Sequence, residues 1–155
     1  LVLSTAFGYQ LNPNLHITTD FQKCDELTVA AAKATSVVNK VGLMEKAVEL
    51  YQGKLLSSAE GEHWLVHTAN RYHFAYMSTA NELLKQLMTI HAYDLIHQYA
   101  ALALTIAPEN TKAYYWLIQS YLKQNMEEMA TGELVAARQK LPDEEYQKLL
   151  QELKK

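Results

Sequence analysis

From Asp20 to the C-terminus, apolar and small residues recur at steps of three and four, the signature of helices with one buried face. Phe21, Cys24, Leu27, Ala31 and Thr35 form the first stripe, with Asp20 placed as its cap. Gly42 separates it from a second helix, Leu43 to Tyr51, which Gly53 ends through a positive backbone angle. Between Gly61 and His91 there is neither glycine nor proline, and Leu65, Ala69, Tyr72, Tyr76, Ala80, Leu83 and Leu87 keep the helical step. That pattern predicts one long amphipathic helix of about 40 Å. Further helices are expected over about Tyr93 to Ile106, Thr111 to Lys123 and Glu127 to Lys140. A last one opens at Pro142-Asp143-Glu144-Glu145 and closes at Lys154-Lys155, with charges that suit both ends of its dipole. Before Asp20 the text changes character. Tyr9 to Leu11 and Leu15 to Thr19 are short β-prone runs on either side of the turn-like Asn12-Pro13-Asn14. The expectation is an all-α chain of about seven helices behind a short β-like N-terminal segment.

The helical part repeats itself. Pro108 and Pro142 lie 34 residues apart. Within that period Ala80, Leu83, Leu87, Ile96, Ala100, Ala103 and Pro108 occupy the same phases as Tyr114, Leu117, Tyr121, Ala130, Leu134, Ala137 and Pro142. Large residues on one helix meet small ones on the next, so the two can pack as a close pair, and the proline turns the chain into the following unit. Over Met77 to Pro142 this spacing resembles the tetratricopeptide repeat. Leu84 and Ile118 depart from it where a small residue is usual. So does Ile96, which should loosen its repeat. The resemblance implies a tetratricopeptide-like right-handed superhelix whose concave face is lined by one set of phases on the first helix of each pair. Those positions are Ser78, Asn81, Lys85 and Met88, then Lys112, Tyr115, Gln119 and Leu122. As a solvated face they need no partner; as a binding strip they offer hydrogen bonds and one aromatic platform.

A narrower likeness covers more of the chain. Ala47-Val48-Glu49-Leu50-Tyr51-Gln52-Gly53-Lys54-Leu55-Leu56, then Glu62-His63-Trp64-Leu65, then Asn70-Arg71-Tyr72 and Tyr76, resemble the bacterial transcriptional activator domain. In bottom-up terms Leu50, Tyr51, Leu55 and Leu56 form an apolar plug under the long helix, and Trp64 anchors its start. The resemblance assigns residues 20–155 to that domain and residues 1–19 to the last hairpin of an upstream winged helix, on the strength of Phe7-Gly8-Tyr9-Gln10-Leu11 and Thr19-Asp20-Phe21. It implies a regulatory, protein-interaction module of a cytoplasmic bacterial DNA-binding regulator. Such a module works through its own winged helix, self-association or the transcription machinery, and meets DNA only through the upstream domain. A free-standing tetratricopeptide adaptor with no link to DNA is the alternative.

Composition narrows the choice. The chain has 155 residues, with 14 Lys and Arg against 17 Asp and Glu. A nucleic-acid binder normally carries a basic surplus, because phosphate contacts dominate affinity; this piece has none. It begins at Leu1 rather than Met and reads as part of a longer protein. No apolar run approaches the roughly 20 residues of a membrane span, and no signal-peptide pattern opens it. Its single cysteine, Cys24, allows no internal disulfide, suits a reducing compartment and falls on the first apolar stripe as a core residue. His63 and His67 have the spacing of a zinc pair but no glutamate between them for metalloprotease chemistry. Glu127-Glu128 and Asp143-Glu144-Glu145 sit where helix first turns favour acids. No phosphate loop, dinucleotide fingerprint or nucleophile elbow occurs. The expectation is therefore no enzyme, no cofactor and no metal site.

Overall fold

A computed structural model describes residues 2–16, 18–53 and 63–154, except the side chain of Trp64. The expected roles of Lys54, Leu55, Leu56 and Glu62, and of Trp64 as an anchor, fall outside the described residues. Two strands, β1 (Val2–Thr5) and β2 (Gly8–Leu11), pair antiparallel with Val2 opposite Leu11. Among the described residues seven helices follow: α1 (Asp20–Lys33), α2 (Val37–Leu50), α3 (His63–Thr89), α4 (Tyr93–Ile106), α5 (Thr111–Lys123), α6 (Glu127–Lys140) and α7 (Asp143–Leu153). The all-α reading stands, and α3 is the expected long helix at 27 residues.

Three local expectations are corrected. The hairpin joins β2 to the preceding β1; Leu15, His16, Thr18 and Thr19 carry no strand. Thr19, not Asp20, caps α1. Its hydroxyl accepts from Gln22 N while the Gln22 side chain accepts from Thr19 N, a capping box that leaves Asp20 in the first turn. Gly42 does not divide helices. It lies inside α2, and the break falls earlier, where Ala34 and Ser36 are extended. One interior glycine costs only about 1 kcal/mol against alanine, which the packing of α2 readily offsets. Gly53 does take a positive φ of 132°, but α2 has already ended at Leu50.

The helices form a stack of hairpins. Cys24 Sγ reaches Ala47 O and Phe21 meets Tyr51, so α1 and α2 run antiparallel. Phe21 also packs on Tyr72, and Thr28 touches Thr79, in both cases 51 residues further on. So α1 lies beside α3 as α3 lies beside α5, through Asn110 on Met77 and Trp116 on Asn81. Thr111 donating to Glu145 adds α7 to the same row. Behind it, the Tyr99 hydroxyl of α4 donates to Glu49 of α2. The hairpin α1/α2 is thus a first unit that the 34-residue period does not reveal. Asn110, buried at the unit boundary after Pro108, caps α5 by accepting from Ala113 N. The core runs through all units, with Val48, Leu83, Leu87, Ile96, Ala100, Ile118 and Leu149 closed to solvent. Ile96 is fully enclosed, so the expected loosening around it is not seen.

Candidate functional site

The polar strip along α3 and α5 is built by helical geometry. Ser78, Asn81 and Lys85 stand three and four residues apart on α3, and Lys112, Tyr115, Gln119 and Leu122 do the same on α5. Ser78, Lys85, Lys112 and Leu122 are exposed; Asn81, Met88, Tyr115 and Gln119 are half-buried. The two helices are brought together at the centre of the strip, where Trp116 Nε1 donates to Asn81 Oδ1 at 2.8 Å. Tyr115 stands edge-on to Trp116 with ring centroids 4.8 Å apart. Trp116 escaped the sequence reading because it occupies a phase that neither packs the pair nor lines the concave face.

Several strip residues have structural tasks. Asn81 fixes the Trp116 indole, while Met88 and Tyr115 pack against the core. Lys112 Nζ donates to both oxygens of Glu152 on α7, at 3.1 and 3.2 Å. Lys85 Nζ lies 4.0 Å from Glu82. Glu82 is held more firmly by Lys40 of α2 at 2.9 Å and Gln86 at 2.8 Å. The hydrogen bond from Lys40 comes first among the causes that hold its carboxyl below the usual range. Next to this strip a cavity of about 180 Å³ opens between α1, α2 and α3, lined by Thr28, Met44, Ser78, Thr79, Lys40 and Glu82.

Beyond the strip, an aromatic cluster joins the first three helices. Tyr51 stacks on Tyr76 at 4.3 Å, and its hydroxyl lies 3.1 Å from His73 Nδ1. Leu50 of the expected plug is half-buried and Tyr51 fully so. Cys24 is half-buried rather than core; burial and the neighbouring Asp25 and Asp20 push its thiol above the ordinary range. His63 and His67 are both exposed on α3. Among the described residues no three His, Cys, Asp or Glu side chains are grouped so as to hold a metal ion. No helix among them is long and apolar enough to cross a membrane.

A stack of helical hairpins with a polar strip on one row of helices defines a repeat-type scaffold. The family model of the bacterial transcriptional activator domain matches residues 19–155, and the chain belongs to that family. No curated protein matches the chain. No solved structure matches it either. The family is one of transcription regulators, not of enzymes.

Proposed function

We propose that this chain is the regulatory, protein-binding module of a cytoplasmic bacterial DNA-binding regulator, and that a partner engages the strip on α3 and α5. The carrying observation is the family match over residues 19–155, on a stack that turns Ser78, Lys85, Gln119 and Leu122 outward beside the Asn81–Trp116 link. The partner contributes backbone or acidic groups to Lys85 and Gln119 and stacks on the exposed edge of Tyr115. Asn81, Met88 and Lys112 shape the strip from behind or beside it. The β1–β2 hairpin is the end of an upstream winged helix, and contact with DNA belongs to that upstream part.

The test uses the full-length regulator carrying Lys85→Ala with Gln119→Ala. Melting should stay close to the parent, because neither side chain is enclosed. Transcriptional activation, or association with the partner, should weaken. Unchanged activation in a folded variant would make the strip a solvated face.

A further inference from the structure

A second surface lies at the opposite edge of the first hairpin. An open groove of about 660 Å³ runs between α1 and α2, lined by Ala30, Lys33, Ala34, Val38, Gly42 and Lys46 among others. By helical spacing these positions face away from Thr28, Ala31, Met44 and Val48, the side that meets α3. The floor is low, since a Cβ built on Gly42 would meet nothing within 4 Å. One wall is apolar, with Val38 77% exposed.

The other end of the stack shows how a free edge is finished. There α7 lays Leu149 inward and leaves Glu144, Gln147, Lys148 and Gln151 to solvent. A repeat array needs such a polar cap at each end. At the α1/α2 edge Lys23 and Glu26 are exposed and pair with each other on the first turns of α1, but among the described residues no such cap covers the groove beyond them. The groove presents valine and alanine between two lysines, Lys33 on one helix and Lys46 on the other, neither with an ion-pair partner among the described residues.

We propose that this groove seats an amphipathic helix with acidic flanks, contributed by a partner protein. The shape follows from the fold, because each later hairpin already takes a helix of the preceding unit against its corresponding edge, α2 on α3 and α4 on α5. The charge follows from the two lysines. A second copy related by a two-fold axis would bring lysines against lysines, which disfavours self-pairing. Residues 2–16 and 18–19 offer no acid, so the N-terminal hairpin does not complement them either. This surface is separate from the strip on α3 and α5, and its test does not depend on that strip.

The probe is a synthetic alanine–leucine peptide of about four helical turns, with glutamates flanking its leucine stripe; a lysine-flanked counterpart serves as the control. Amide NMR of the chain should shift at Ala30, Ala34, Gly42 and Lys46 with the acidic peptide and not with the basic one. Lys33→Glu with Lys46→Glu, checked for helicity, should weaken the acidic peptide several-fold to about tenfold and favour the basic one. The proposal is overturned if neither peptide binds, if both bind alike, or if the shifts fall on Lys85 and Gln119. It is also overturned if the free chain dimerises and Val38→Glu abolishes the dimer, since a second copy would then be the occupant.

Discussion

Among the side chains, Tyr76 carries a stability cost. It is buried against Tyr51, yet its hydroxyl has no hydrogen-bond partner among the described residues. A buried polar group left unpaired costs about 1–3 kcal/mol, so Tyr76→Phe should leave stability unchanged or raise it by about 1 kcal/mol. A clear loss in denaturant melts would mean that the hydroxyl is bonded in solution. His97 sets a pH dependence. Its ring stacks on Tyr121, and its Nε2 lies 3.0 Å from the buried Ser120 hydroxyl. Burial lowers its pKa, partly opposed by Asp94. A neutral ring favoured in the fold means that the unfolded chain takes up the proton first. The stabilisation is therefore complete above about pH 6.5 and is lost as pH falls through the lower folded value. His97→Gln should flatten that decline in melts recorded between about pH 5 and 7. Apolar spacing revealed Tyr76 as core, but a period says nothing of where a hydroxyl or an imidazole finds its partner. For the same reason the Asn81–Trp116 bond was out of reach: Asn81 holds a concave-face phase, but Trp116 stands at a phase to which the repeat pattern assigns nothing.

Among the elements, the turns inside the hairpins hold information that glycine counting misses. His91 and Asn125 both adopt left-handed φ, 57° and 58°, and stand one repeat period apart. Each closes its helix the same way, with Ala92 N donating to Leu87 O and Met126 N to Tyr121 O. A left-handed conformation costs a residue with a Cβ about 1–2 kcal/mol, which asparagine tolerates better than histidine. His91→Gly should therefore stabilise the chain by about 1 kcal/mol, less whatever the His91–Tyr93 contact contributes. A fall in melting temperature would show that this contact outweighs the backbone strain. The converse error occurred at Gly42, where glycine was read as a break but sits mid-helix. Punctuation by glycine is a propensity of about 1 kcal/mol, and the packing of α2 on α1 and α3 overrides it. Helices α4, α5 and α6 were legible to the residue because Pro108 and Pro142 bound them and their phases alternate, with small residues on α4 and α6 and the large Tyr114, Leu117 and Tyr121 on α5, independently of propensity. The hairpin α1/α2 was legible as helices but not as a repeat unit. Its step to α3 is 51 residues, and the seven phases do not carry across it.

At the scale of the whole molecule, stability in a stack of units comes from each unit and its nearest neighbours, so the two ends should respond differently to truncation. At one end, every residue from Val2 to Leu11 is exposed, and among the described residues the strands pair only with each other. An isolated two-stranded hairpin is marginal in water, and this one buries no residue against the described helices. At the other end, α7 buries Leu149 completely, ties Lys112 through Glu152 and Thr111 through Glu145, and pairs Asp143 with Arg138 of α6. The exposed ion pairs count for little, and the leucine for most. Removing residues 1–18, which keeps the Thr19 cap of α1, should leave the melting temperature nearly where it was. Leu149→Ala should cost about 2–5 kcal/mol, the range for emptying a leucine site in a packed core. Denaturant melts of the two variants against the parent decide the matter. A large loss on removing the hairpin would mean that it docks on the helices in solution. A negligible loss at Leu149 would mean that α7 is an appendage rather than the cap of the stack.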